Sequence, residues 1–307
     1  MWRPFTAAQA TLRAVTLDPP TRARLLERAI RTGGADRDEF AGREEEMAYY
    51  LHRSAGRFAR TLPLALRHAG PGARVLELGA DPFFFTQLLL EAGAEVVLAG
   101  EPRGVWKREP PGSEEIALRW AGREERLELQ RFDVERDHWP FGDGAFDAVV
   151  CMELLEHLTY SPAHLLHEAN RVLVPGGGLV LTTPNALAAQ LLARALRGRS
   201  IGEPYSGYGP TGRHNREYTS AELEALLHGA NFAGEVRAAN IDGYVPPDGL
   251  GRLLRAAAGM PGARAERRRD HLFAAVRKTG PPVLAYPDWL FRAVYPERMR
   301  AGGVKLV

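Results

Sequence analysis

The stretch VLELGADPFFFTQLLLEAG, Val75–Gly93, decides the fold. Four apolar or strand-forming residues run into a glycine, and an apolar helical segment follows, which is the strand–turn–helix unit of an open α/β sheet. Ligands of such sheets bind outside the carboxyl ends of the strands, at turns of this kind. Gly79 lets the backbone turn sharply, and the amides that open the next helix face the ligand.

Outward from this unit the rhythm repeats. Strands are expected at 74–78, 95–99, 127–132, 146–151, 178–182, 234–239 and 271–277, and the run IALRWA near residue 118 is placed to pair with RLELQRF as a hairpin. Helices are expected at about 84–93, 161–173, 219–230 and 249–258, with two long interruptions, 188–218 and 240–270, read as lids or binding loops. Residues 1–70 read as a helical cap. There PPTRARLLERAIRTGG is opened by prolines and closed by glycines, and REEEMAYYLHRSAGRFARTLPLALRHAG carries helical apolar spacing. The domain proper then spans 71–280, and the aromatic tail 281–307 reads as an oligomer surface, a lid or a docked terminus.

Bulk composition narrows the class. The 307 residues are 45% hydrophobic with 40 Lys and Arg against 38 Asp and Glu, a net charge of +2, so nothing in the overall charge calls for nucleic acid. A single cysteine excludes an internal disulfide or a thiolate cluster. The absence of a bilayer-length apolar run or a signal-like N-terminus gives a cytoplasmic expectation.

The acids at the strand ends carry the ligand argument. Glu101 closes the second strand in VVLAGEP, where a carboxylate can accept both hydroxyls of a ribose. Asp133 follows the third strand in RFDVERDHWPF, where it can hold an exocyclic amine, and FDAVVCMELLEHL and RVLVPGGGLVLTTPN complete the series. Any one of these acids alone reads equally as a strand-end or turn-capping residue.

In that order the segments resemble the class I S-adenosylmethionine-dependent methyltransferases over about residues 70–280. The resemblance implies a Rossmann-like, seven-stranded sheet with a reversed last strand and S-adenosylmethionine as cofactor. It places Glu77, Gly79 and Asp81 at the methionine end, Glu101 at the ribose, Asp133 and Val134 at the adenine, and Cys151 as a small buried residue bordering the cofactor. The chain departs from the family at GADPF, where Asp81 and Phe83 stand in place of glycines. Asp81 is the expected carrier of a left-handed turn, and Phe83 is expected to narrow the pocket.

CMELLEHL adds a second layer of chemistry. Glu153, Glu156 and His157, spaced i, i+3, i+4, share one face if the segment is helical. His214 lies in RHNREYT, just before a helix with Thr219 or Ser220 as N-cap. These two segments resemble the small-RNA 3′-terminal 2′-O-methyltransferases, and the first also resembles the ubiquinone-pathway O-methyltransferases. The resemblance implies a divalent metal, Mg²⁺, Mn²⁺ or Zn²⁺, on Glu153, Glu156, His157 and His214. Two other readings stay open for the cluster: His157 or His214 as a metal-free general base, and a purely structural network.

The function expected is O-methylation of a hydroxyl on a sugar, glycoconjugate or secondary metabolite. The competing readings are an RNA 2′-O-methyltransferase, disfavoured by the near-neutral charge, and a non-catalytic binding protein of the same fold. A dehydrogenase lacks its second and third glycines. Tyr205, Tyr208 and Tyr218 around GEPYSGYGPTG are read as an aromatic lid, and RAERRR at 264–269 as a solvated face.

Overall fold

The computed structural model describes residues 44–101, 111–120, 123–207, 209–241, 249–284, 287 and 289–291. The expected helix at 19–34, most of the C-terminal tail and Tyr208 lie outside the described residues.

In chain order the elements are α1 (Glu44–Ala65), β1 (Arg74–Leu78), α2 (Phe84–Glu91), β2 (Glu95–Gly100), β3 (Gly112–Trp120), β4 (Arg123–Arg131) and β5 (Phe146–Met152). After β5 come α3 (Pro162–Val172), β6 (Leu173–Pro184), α4 (Ala189–Leu196), α5 (Ser220–Gly229), β7 (Phe232–Ala239), α6 (Gly249–Ala258), α7 (Ala263–Glu266) and β8 (His271–Lys278). They form one eight-stranded sheet in the order β3-β4-β2-β1-β5-β6-β8-β7. Strands β4, β2, β1, β5 and β6 run parallel, whereas β8 is antiparallel to both β6 and β7, the expected reversal. The eighth strand is β3, the first arm of the hairpin, which lengthens the sheet beyond the seven strands expected.

Strand order reverses between β1 and β5, so the crevice beyond their carboxyl ends is where a ligand belongs. The parallel strands are buried on both faces, as their continuous apolar runs require. One face packs α1 and α2: Leu51, Phe58 and Leu64 of α1 share a core with Phe85, Val75 and Val150, and Phe58 meets Phe85 at 5.6 Å between ring centres. The other face packs α3 and α5 around Trp139, Phe146, Leu165 and Leu226. Helix α1 is therefore part of the core and does not sit on it as a separate cap.

At the outer edge, Ile116 and Leu118 of β3 point inward while Glu114 and Glu115 pair across to Arg131 and Arg126 of β4. Both interruptions contain helix: α4 and a single turn at Pro210–Gly212 in the first, α6 and α7 in the second. Tyr218 is buried with its backbone bridged to Asn185, and Tyr205 is 89% exposed beneath the Arg213 guanidinium, so these two tyrosines do not share one lid surface.

The loop after β4 is fixed by Glu135. Its buried carboxylate accepts from Thr159 N, Thr159 Oγ1, Tyr160 N and Ser161 N, all at 2.8–3.0 Å, tying that loop to the segment that opens α3. Burial raises its pKa despite these four bonds. Replacing Glu135 with Ala strips four donors of one charged acceptor, and about 3 kcal/mol of stability should be lost. Urea unfolding measures this, and a midpoint within error of the parent would mean that water takes over the role of the carboxylate.

Candidate active site

The turn after β1 begins at Gly79, whose φ is 66°, and a Cβ there would meet only Leu154 Cδ1 at 3.8 Å, so the conformation rather than crowding favours glycine. The second left-handed residue is Phe83 (φ 67°), not Asp81 as expected. Phe83 serves as N-cap of α2, and its ring is 1% exposed within the α1–α2 core. The ring therefore turns away from the crevice instead of narrowing it, and core packing holds a conformation that aromatic residues disfavour. Asp81 stays exposed, with Oδ2 placed 3.8 Å from the position a Cβ on Gly100 would take.

Glu77 is buried and accepts a 2.7 Å hydrogen bond from Thr86 of α2, and burial pushes its pKa up to about 8. It anchors the turn from below. Glu101 stands exposed at the end of β2, and among the described residues its carboxylate has no hydrogen-bond partner. Partial desolvation and the charges of Asp133 and Glu135 raise its pKa. An uncommitted acceptor in a field of like charge fits a pair of ribose hydroxyls. Asp133 is more committed: Oδ1 accepts from Glu135 N at 2.9 Å and Oδ2 lies 3.8 Å from Arg136 Nε. Val134 packs against the α3–α5 core, and Cys151 is fully buried, its thiol pKa pushed up by burial and by the two nearby glutamates.

Beyond β5 the expected helical face does not form. Glu153 adopts φ 50°, and only a single 3₁₀ turn, Leu155–His157, follows it. The left-handed residue sends Glu153 and Glu156 to different partners. Glu153 meets Arg57 Nη1 of α1 at 3.0 Å and His271 Nε2 of β8 at 3.3 Å, and accepts from Thr182 Oγ1 at 2.9 Å. Burial alone would raise its pKa, but Arg57, His271 and Thr182 together hold it well below the usual carboxylate range.

Glu156 is fully buried; Thr183 Oγ1 donates to its Oε2 at 2.9 Å, and its Oε1 has no hydrogen-bond partner. Burial and the charge of Glu153 raise its pKa. One ligand atom each from Glu156, His157 and His214 lies within 4.8 Å of the other two. The structure thus unites three of the four residues expected to converge, and Glu153 stands outside because Arg57 and His271 claim it.

The loop bearing His214 is stapled to the Glu156 turn. Asn215 N and Arg216 N donate to Glu156 O at 2.7 and 3.2 Å, and Asn215 Nδ2 donates to His157 O at 2.9 Å. Thr219 then caps α5 in a full capping box with Glu222. The two imidazoles meet edge to face at 5.0 Å. His157 Nδ1 lies 3.1 Å from Arg213 O, a contact that requires the proton on Nδ1 and leaves Nε2 a lone pair. His214 Nδ1 lies 3.0 Å from Glu217 Oε1 and 3.3 Å from Glu203 Oε1. Desolvation and His214 lower the pKa of His157; in His214 desolvation is outweighed by Glu217, Glu156 and Glu203, and the pKa rises.

This donor set fits a divalent cation. Two imidazoles with Nδ1 held by an oxygen, plus a buried carboxylate oxygen lacking a partner, match how metal-binding histidines are oriented, and three protein ligands leave positions for substrate. A cavity of about 570 Å³ opens beside it, lined by Glu153, His214, Glu217 and His271 together with Tyr49, Arg53 and Arg57 of α1 and Arg194 of α4.

Sequence reasoning missed Arg57, Thr183, Glu203 and His271. Glu217 was legible three residues after His214; Glu203 lies eleven residues before it in the same segment, and Arg57, Thr183 and His271 come from distant elements and carry no local signal.

Comparison with known proteins follows the same lines. A family described as "Methyltransferase domain" matches residues 48–235, more than half of the chain. Ubiquinone biosynthesis O-methyltransferase of Xanthomonas campestris pv. campestris is 32% identical over 126 residues, 41% of this chain and 49% of that protein. The Xanthomonas oryzae pv. oryzae protein of the same name is 30% identical over 164 residues, 52% and 63% respectively. The chain thus spans about half the length of the curated relatives it matches. A solved structure of 1,6-didemethyltoxoflavin-N1-methyltransferase from Burkholderia thailandensis is 17% identical, covering 91% of this chain and 94% of that one at a TM-score of 0.46.

Two outcomes check the site. Arg57→Ala leaves the half-buried Glu153 with His271 and Thr182 only and should cost about 1.5–3 kcal/mol at neutral pH. Because the folded pKa of Glu153 is depressed, its contribution is present above the unfolded carboxylate value of ~4.3 and lost as pH falls through the folded value. The variant should therefore show a flatter acid limb in denaturation followed against pH, and an unchanged limb would assign that stability elsewhere. Glu101→Ala should weaken S-adenosylhomocysteine binding by about 1–3 kcal/mol in calorimetry, and an unaltered affinity would move the ribose site away from β2.

Proposed function

Because the chain belongs to the methyltransferase-domain family just described, we propose that it is an S-adenosylmethionine-dependent O-methyltransferase acting on a hydroxyl of a small diol-bearing sugar or phenolic metabolite. The observation that carries this reading is the convergence of Glu156, His157 and His214 just beyond the carboxyl end of β5, with His214 lining the cavity. Nucleic acid is not part of the reading, and no helix among the described residues is long and apolar enough to cross a membrane.

Methyl transfer needs in-line placement more than covalent help. The acceptor oxygen bonds to the methyl carbon of the sulfonium, the C–S electron pair returns to sulfur, and the hydroxyl proton leaves. Glu156, His157 and His214 are the residues that would hold a divalent metal, and such an ion would lower the pKa of a bound hydroxyl by several units. Around it, Arg213 O and Glu217 fix the rings, and Thr183 fixes Glu156. The lone pair on His157 Nε2, with a pKa held below the ordinary imidazole value, supports a second reading in which His157 takes the proton with no metal.

A panel of catechols and vicinal-diol sugars, assayed with S-adenosylmethionine in Mg²⁺, Mn²⁺ or Zn²⁺ and again in chelator, separates the readings. We expect methyl ether products, loss of turnover in chelator, and calorimetric binding of the metal alone. His214→Ala should weaken metal binding by about 10–100-fold while S-adenosylhomocysteine affinity holds. Turnover indifferent to chelator but lost in His157→Ala would establish the metal-free base. Methyl transfer confined to nitrogen acceptors would end the O-methyltransferase reading.

A further inference from the structure

Most of the charged side chains that line the cavity have a partner among the described residues. Glu153 is held by Arg57 and His271. Glu203 and Glu217 both face His214 Nδ1. Asp270 accepts from Arg255 Nε at 2.8 Å, and Arg53 Nη1 donates to Tyr49 at 3.1 Å. Arg194, in the last turn of α4, lines the same cavity and is half-buried, yet among the described residues its guanidinium has neither a hydrogen bond nor an ion pair. A cation on the wall of a cleft, away from bulk water and without an internal counterion, attracts an anion entering that cleft.

We propose that the acceptor carries an anionic group, and that Arg194 selects it while the hydroxyl to be methylated lies at His214. The inference rests on the O-methyltransferase reading and adds to it a substrate class, an anionic hydroxyl compound. Three features support the geometry. His214 and Arg194 line one cavity of about 570 Å³, of a size that takes a single small molecule. Tyr49 and Tyr50 line the same space, giving an aromatic or sugar ring a surface to lie on. Glu153 and Asp270 are paired with Arg57 and Arg255, and Glu203 and Glu217 turn to His214, so none of these carboxylates occupies the Arg194 guanidinium. A planar guanidinium also suits a carboxylate or a phosphate equally, through two parallel hydrogen bonds.

The probes are 3,4-dihydroxybenzoate and its methyl ester, equal in ring and diol but unequal in charge, with 3,4-dihydroxyphenyl phosphate to separate phosphate from carboxylate. Binding is measured by calorimetry on protein saturated with S-adenosylhomocysteine, once with Mg²⁺, Mn²⁺ or Zn²⁺ and once in chelator, so the result does not depend on turnover and the comparison of acid with ester is made at constant metal. The parent should bind one of the anions about tenfold or more tightly than the ester, the factor expected of a desolvated charge-assisted pair. In Arg194→Ala that ratio should fall to about one, Arg194→Lys should retain part of it, and S-adenosylhomocysteine affinity confirms that each variant is folded. Acid, phosphate and ester binding alike in the parent would overturn the proposal, as would a preference that survives in Arg194→Ala. Either result leaves O-methylation standing, because the acceptor panel above tests it separately. Failure of all three probes to bind overturns the anionic-acceptor assignment even if neutral sugars are methylated.

Discussion

Two carboxylates three residues apart govern this molecule. Glu156 is fully buried at the end of β5 and Glu153 is half-buried beside it, so ionising both in the same surroundings would be costly. The chain separates them with one left-handed residue. Glu153 takes the basic side chains, meeting Arg57 of α1 and His271 of β8, and so fastens both ends of the described chain to the middle of the sheet. Glu156 takes a threonine hydroxyl and the histidine side, with its backbone carbonyl gathering the 210–216 loop. One carboxylate thereby faces a guanidinium and the other a pair of imidazoles, from a pattern that in sequence treats them alike.

The cofactor end obeys a different constraint. Where glycines usually relieve the turn after the first strand, this chain uses one glycine and then forces an aromatic residue into the left-handed region. A cost of order 1–3 kcal/mol for that conformation is offset by burying the Phe83 ring in the core that α1 and α2 share with the sheet. The N-terminal helix thus supports the turn from behind, and it also contributes Tyr49, Tyr50, Arg53 and Arg57 to the cavity. Helix α1 links the two halves of the site.

The sheet was legible because its signals are local. Continuous apolar runs bounded by glycines gave strands that the structure lengthens by a few residues, and the hairpin before β4 was visible in alternation. The capping box at Thr219 and Glu222 could be read directly. What sequence could not show was the backbone at Glu153. An i, i+3, i+4 spacing specifies a common face only if the segment is helical, and nothing in CMELLEHL announces a left-handed residue followed by a single tight turn. For the same reason Phe83 seemed an obstruction, since its orientation is decided by α1, some 25 residues upstream. Arg57 and His271 reach the site across the fold, and their part in it is a product of tertiary packing alone.

The outermost strand has a bearing on how this protein behaves in company. An exposed strand edge offers unpaired amides and carbonyls to any passing chain. Here β3 presents that edge with Glu114 and Glu115 tied to arginines of β4, and at the far side β7 carries Glu235 and Arg237, both half exposed. A strand added at either border would have to desolvate charge before gaining ladder hydrogen bonds. Concentrated solutions are therefore protected from runaway β-stacking by side chains that take no part in catalysis, and the protection should weaken with added salt as those charges are screened.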